Sequence, residues 1–409
     1  MAEASLKQKA FKGGFWVFTT RIVSRAFSFL RLIILARLLA PDDFGLMGIA
    51  LLSMATLETF SETGFQQALI QKKEKIEDYL NSAWAALVLR GVFLFTFLYL
   101  IAPYAATFFG TPLAIPIIRV ISLSLLVQAF TNIGIVYFRK DLEFNRQFFY
   151  ELSGVLADFL VAVTAALILR NTWALVFGFL AGSLARLITS YFLHPWRPRF
   201  VLDIKKTAEL FNFGRWVFGS SILIFLVTHG DDIFVGRFFG VTALGFYQMA
   251  YKISNLPATE ISHVISQVTF PTYSKLQDNL AQLRKAFLRV FQGVFFLSIL
   301  VSGLIFIFAY PFTKIFLGEK WLPLVSILRI LALAGLLESI ASTTGSVFYA
   351  LGKPEIETRW QVIRLLVLVI FIYWLAMRWG VVGVATAVLI SNFVITIAFI
   401  FEAVRITKL

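Results

Sequence analysis

The chain has 409 residues, of which 59% are hydrophobic and only 15% charged, with a mean hydropathy of +0.82. Soluble domains carry about 25% charged residues, so this composition excludes a water-soluble globular protein and predicts an integral membrane one. The formal net charge of +14 does not point to nucleic acid, because the Lys and Arg residues cluster between apolar runs, and zero cysteines exclude a disulfide framework, a cysteine-held zinc site and a thiol nucleophile.

A spanning helix needs about 20 mostly apolar residues. The N-terminal MAEASLKQKAFKGG is polar and basic, and the run after it is too long and too arginine-rich for a cleaved signal peptide. From there the expected spans are 13–39, 44–70, 80–109, 113–138, 148–170, 172–193, 211–239, 244–270, 285–309, 323–350, 357–378 and 380–404. Pro103, Pro116 and Pro257 fall within or at the edges of these runs, which membranes tolerate when neighbouring helices re-satisfy the freed backbone groups. The fold class is therefore all-α, with about twelve transmembrane helices.

The connections alternate in charge. LKQKAFK, QKKEKIED, FRKDLEFNR, HPWRPRFVLDIKK, YSKLQDNLAQLRK, LGKPEIETR and the terminal RITKL are basic. The intervening APDDFG, FFGTP, RNTW, GVTA, LGEKW and RWG are short and poor in positive charge. The positive-inside rule then puts both termini in the cytoplasm. None of the outward connections is long enough to fold into a catalytic domain.

Sliding the sequence by 200 positions lays KGGFWVF (12–18) over NFGRWVF (212–218) and IILARLLAPDDFG over IFVGRFFGVTALG. Trp16 meets Trp216, Arg37 meets Arg237, Gly45 meets Gly245 and Gln67 meets Gln267. Six spans per repeat give both halves the same orientation, as in two-lobed transporters. The expected lobes are 1–193 and 211–409, joined by a cytoplasmic linker, 194–210.

Charged groups inside the spans are costly and mark function or pairing. The first span carries Arg21, Arg25, Arg31 and Arg37. At 100° per residue Arg21 and Arg25 share a face, whereas Arg31 and Arg37 lie on others. Arg37 and its repeat partner Arg237 read as interfacial anchors. Arg25 and Arg31 either line a cavity or pair with acidic groups that hold the lobe together. Glu58 and Glu62 on the second span return to the depths of Arg25 and Arg21 and are candidates for coupling or gating. THGDDIF (228–234) adds Asp231 and Asp232, candidates for a gate, a cation-coupling site, or a cap at a kink made possible by Gly230. Arg215 and Lys252 are further candidate substrate-binding cations. His229 and His263 lack metal-ligand spacing, so no metal site is expected. Arg90, Arg119, Asp158, Arg186, Arg329, Glu338 and Arg364 are expected to pair within their lobes.

The pattern SR-x5-R-x5-R (Ser24, Arg25, Arg31, Arg37), followed by LLAPDDFGLMGIA and by FSETGFQQALIQ at the end of the second span, resembles the polysaccharide-transport branch of the multidrug/oligosaccharidyl-lipid/polysaccharide exporter superfamily, which includes Wzx-type flippases. The resemblance implies a V-shaped pair of lobes, a cavity lined by spans 1, 2, 7 and 8, and alternating access. It implies a substrate too, oligosaccharide repeats on undecaprenyl pyrophosphate, with Arg21, Arg25 and Arg31 holding the phosphates. It brings no cofactor beyond H+ or Na+ coupling, and membrane lipids, a polysaccharide polymerase and glycosyltransferases as partners. There are departures: some branches have fourteen helices, and the lipid II branch has Asp directly after its second arginine, where this chain has Leu32. A multidrug exporter of the same superfold is the nearest alternative, and a membrane enzyme of glycan assembly a more distant one.

Overall fold

The computed structural model describes residues 2–71, 76–262, 265, 269, 272–274, 276–277 and 279–407. The described residues are helical almost throughout. In chain order they form α1 (Ala2–Leu38), α2 (Pro41–Thr59), α3 (Phe65–Gln71), α4 (Glu77–Phe108), α5 (Ala114–Ala129), α6 (Val136–Lys140), α7 (Phe144–Leu169), α8 (Trp173–Leu193), α9 (Ile204–Ser254), α10 (Leu280–Phe312), α11 (Leu324–Ala350) and α12 (Pro354–Thr407). A π-helical turn, Pro257–Ser262, follows α9. Pro103 is passed inside α4 without a break, and Pro116 sits in the first turn of α5, where its missing N–H costs nothing.

Among the described residues six helices are long and apolar enough to cross a membrane, and α5 joined to Ile133–Lys140 across a 69° bend makes a seventh. The arginine-bearing α1 and the aspartate-bearing α9 are not among them. Two of the longest helices each hold two apolar runs. Within α9 the break is at Gly240 (φ 81°, ψ −174°), and within α12 at Gly380 (φ 60°, ψ −140°). A side chain with a Cβ is strained at both, so glycine marks each reversal. The kink suggested for Gly230 is therefore found ten residues later, because Gly230 itself keeps helical backbone.

By its contacts the chain divides into two compact units, 1–222 and 223–409. In the first, α7 lies along both α8 and α1, and α5 packs on α2, α4 and α8. Close approach of α7 and α8 rests on small residues. A Cβ added to Gly182 would stand 2.8 Å from the Gly154 carbonyl oxygen, and one on Gly178 would stand 2.5 Å from the Ala162 Cβ. With lipid as apolar as leucine, such packing and buried polar contacts hold helices together in a bilayer. An apolar cluster of Phe65, Leu69, Leu80, Trp84, Ile133 and Val136 closes the end of this unit near α3. In the second unit α11 packs between α10 and α12. Its core includes Tyr273, Phe287, Phe348 and Phe399.

The segment read as a linker is docked rather than loose. Residues 194–203 run extended, with the Trp196 carbonyl accepting from Asn132 Nδ2 (2.8 Å), Arg199 N donating to Asn81 Oδ1 (2.9 Å) and Asp203 N donating to Ser82 Oγ (3.1 Å). Helix α9 begins at Ile204, inside the stretch 194–210, because the Asp203 carboxylate accepts from the backbone N–H groups of Lys205 and Lys206.

Candidate functional site

In the first unit the arginines of α1 separate by environment. Arg21 is half-buried, and Arg25 and Arg37 are exposed. Arg31 faces α7, where its Nη2 lies 3.0 Å from Asp158 Oδ1 with both side chains largely covered. The same interface is lined by Phe27 against Phe159 (5.5 Å between centroids) and Trp16 against Phe148 (5.2 Å). Pairing neutralises both charges and lowers the cost of placing them in a membrane. The Nε of Arg31 is buried without a hydrogen-bond partner.

Glu58 and Glu62 are half-buried at the end of α2, and Arg90 of α4 is the cation beside both. Its guanidinium donates from Nη2 to the Glu58 carbonyl (3.0 Å) and from Nε to the Ser61 carbonyl (2.8 Å). Arg90 thus satisfies carbonyls that the end of a helix leaves free, where a cation also meets the negative end of the helix dipole. Asp43, at the other end of α2, accepts from Ala40 N (2.8 Å) and Thr172 Oγ1 (2.8 Å), tying α2 to the start of α8.

In the second unit α9 carries an acidic pair. Asp231 is buried, accepting from the Tyr247 hydroxyl (2.6 Å) and from the Asp232 backbone N–H (3.0 Å). Asp232 Oδ2 lies 3.6 Å from His229 Nδ1. In a straight helix Asp231 and Tyr247 would be about 24 Å apart, so it is the break at Gly240 that brings them together. Lys252 is exposed; the Arg215 side chain, His263 and Gln267 lie outside the described residues.

A cavity of about 420 Å³ opens between α11 and α12. Glu338, Ser342, Ser346 and Tyr349 enter it from α11, and Glu357, Gln361 and Arg364 from α12. Buried Arg364 holds Glu338 through both nitrogens (2.6 and 3.3 Å), while one oxygen of Glu357 is buried without a hydrogen-bond partner. The sequence reading put Glu357 where the connection LGKPEIETR meets the span 357–378 and gave it no role. Its signal was the spacing 357, 361, 364 facing 338, 342, 346, 349, a polar stripe at helical period on each helix. Arg119 and Arg329 find partners within their own units, and these are aromatic: among the described residues each lies over a ring, at 4.8 Å from Tyr99 and 5.7 Å from Phe306, with no carboxylate in ion-pair range.

An all-helical chain with two helical units, several spans and charged groups held within them has the build of a multi-pass membrane transporter. The chain belongs to the family described as polysaccharide biosynthesis protein, whose model matches residues 34–326, within the multidrug/oligosaccharidyl-lipid/polysaccharide superfamily. It is 25% identical to the lipopolysaccharide biosynthesis protein WzxC of Escherichia coli (strain K12), over 98% of this chain and 82% of that one. Two solved structures share the fold. The lipid II flippase MurJ in an inward closed conformation superposes with a TM-score of 0.78 at 17% identity, covering 96% of this chain and 87% of that one. An inward-facing MATE family multidrug transporter gives 0.77 at 16% identity, covering 94% of each.

Proposed function

We propose that the chain is a flippase that carries oligosaccharide repeats on undecaprenyl pyrophosphate across a bacterial or archaeal cytoplasmic membrane by alternating access. The observation that carries this reading is the similarity to WzxC along 98% of the chain. Arg25 is the residue assigned to the pyrophosphate, being an exposed guanidinium on α1, and a planar guanidinium binds phosphate oxygens bidentately and does not deprotonate. Arg21 supports it from the same face. Arg31 is engaged with Asp158 and meets the headgroup only by exchanging that partner. Lys252 of the second unit and Arg215 are assigned to further contacts with the headgroup. Ion coupling, by H+ or Na+, is assigned to Glu58, Glu62, Asp231 and Asp232. Both termini lie in the cytoplasm by the charge of the connections. The enzymes that build and polymerise the glycan are the partners.

A deletion strain tests the function. It is expected to lose surface polysaccharide and to accumulate the lipid-linked repeat, with drug sensitivity unchanged. Intact surface glycan together with a new sensitivity to cationic drugs would show a multidrug exporter instead.

A further inference from the structure

Arg119 and Arg329, which among the described residues have no carboxylate in ion-pair range, are repeat-related. Sliding the chain by 210 positions lays IIRVISLSLL (117–126) over ILRILALAGL (327–336), with Ile117, Arg119, Leu123 and Leu126 meeting Ile327, Arg329, Leu333 and Leu336. Arg119 is the sixth residue of α5, and Arg329 the sixth residue of α11. Each helix follows a turn with a glycine of positive φ, Gly110 at 66° and Gly318 at 103°. In each case the ring under the guanidinium comes from the preceding long helix, Tyr99 from α4 and Phe306 from α10. The same device has been kept twice, once per unit.

Both guanidiniums stand on an apolar outer surface. Ile117, Ile118 and Ile121 face the interior of the first unit, and Ile327, Leu328 and Leu331 that of the second. Leu123 (41% exposed) and Leu333 (40% exposed) point outward beside the arginines. Arg119 opens on a groove of about 330 Å³ lined otherwise by Tyr99, Ile115, Pro116, Val120 and Leu123. An apolar exposed surface on a membrane-spanning protein is a lipid-facing one. A charge there is costly unless it reaches an anion or the interface. Each arginine lies about 7.5 Å along its helix from the first residue, close enough for its long side chain to reach the headgroup level.

We propose that Arg119 and Arg329 each hold the phosphate of an anionic glycerophospholipid, the aromatic ring supporting the flat guanidinium and, at Arg119, the groove seating an acyl chain. Charge complementarity decides the occupant. No protein carboxylate faces either group among the described residues, and an anionic headgroup lacks the ammonium that would repel the arginine in a zwitterionic one. The Arg119 groove has no polar lining for a sugar apart from the Tyr99 and Arg119 side chains themselves.

The test is native mass spectrometry of the full-length detergent-purified protein, titrated with phosphatidylglycerol or with phosphatidylcholine of the same acyl chains. Arg119→Gln and Arg329→Gln are each expected to retain one phosphatidylglycerol fewer than the wild type, the double variant two fewer, and the double Arg→Lys variant to recover most of the loss. Phosphatidylcholine binding is expected to be unchanged throughout. Equal phosphatidylglycerol occupancy in the wild type and the double Gln variant would overturn the proposal. So would displacement of both lipids by equimolar undecaprenyl phosphate, which would make these sites for the substrate's polyprenyl phosphate. Should the double variant fold poorly, melting of the wild type decides: phosphatidylglycerol raising the transition above phosphatidylcholine supports the sites, and equal transitions contradict them.

Discussion

Asp158 on α7 holds the Arg31 guanidinium of α1 at 3.0 Å, whereas Arg25 on the same helix is exposed. The two arginines therefore do different work. Asp158→Asn is expected to leave Arg31 as an uncompensated, mostly covered charge and to lower stability by about 1 to 3 kcal/mol, the cost of stranding a charged hydrogen-bonding group. Thermal melting in detergent checks this. In a double-mutant cycle, Arg31→Ala with Asp158→Ala is expected to cost clearly less than the sum of the single changes; additive losses would show that the pair contributes nothing.

Arg25→Ala makes the complementary prediction. Its melting temperature is expected to fall less than that of Asp158→Asn, since the side chain is exposed. Transport is expected to fall by about 10- to 100-fold, the equivalent of one charge-assisted hydrogen bond to phosphate. A variant that melts normally and transports at the wild-type rate would remove Arg25 from the site.

The approach of α7 to α8 is narrow where it carries Asp158. A Cβ at position 178 would meet Asp158 Oδ1 at 2.6 Å and the Ala162 Cβ at 2.5 Å. Gly178→Ala is expected to cost about 1 to 3 kcal/mol by overpacking. Because it also shifts the Asp158 carboxylate, its effect is expected to be smaller when Asp158 is already alanine. Equal losses in both backgrounds would uncouple the helix contact from the ion pair.

Protonation of His194 should loosen the docked segment. Its Nδ1 accepts from Trp196 N (3.2 Å) and its ring stacks on Tyr137 (5.3 Å), and burial, aided by nearby Arg146, lowers its pKa from the ordinary 6.5. Above that value the imidazole is neutral whether docked or released, and docking is complete. Below it the released segment takes up the proton first, so docking weakens as the pH falls from about 6.5 toward the lowered value. Hydrogen exchange over residues 195–203, corrected for the intrinsic rate, is expected to rise between about pH 7.5 and 5.5, and to stay flat in His194→Gln. The same rise in that variant would clear His194.

The helices were legible because apolar length and interrupting polar turns are local properties. GVTA and RWG marked the reversals that Gly240 and Gly380 make. The partners of the charges were not legible in the same way. Helical period gives Arg31 a face but does not say that α7 will cover it, and nothing local to Arg90 says that it will cap α2. The docking of residues 194–203 depends on Asn81, Ser82 and Asn132, side chains far away in sequence that bond its backbone. The cavity at Glu357 was within reach, because its residues repeat at helical spacing on two consecutive helices.

Reconstitution measures the central claim directly. Purified wild-type protein in liposomes carrying an undecaprenyl-pyrophosphate-linked oligosaccharide is expected to expose the glycan on the opposite leaflet to a membrane-impermeant glycosidase within minutes, with Arg25→Ala liposomes trailing about 10- to 100-fold behind. A glycan that stays as protected with the wild type as in protein-free liposomes would contradict the flippase reading.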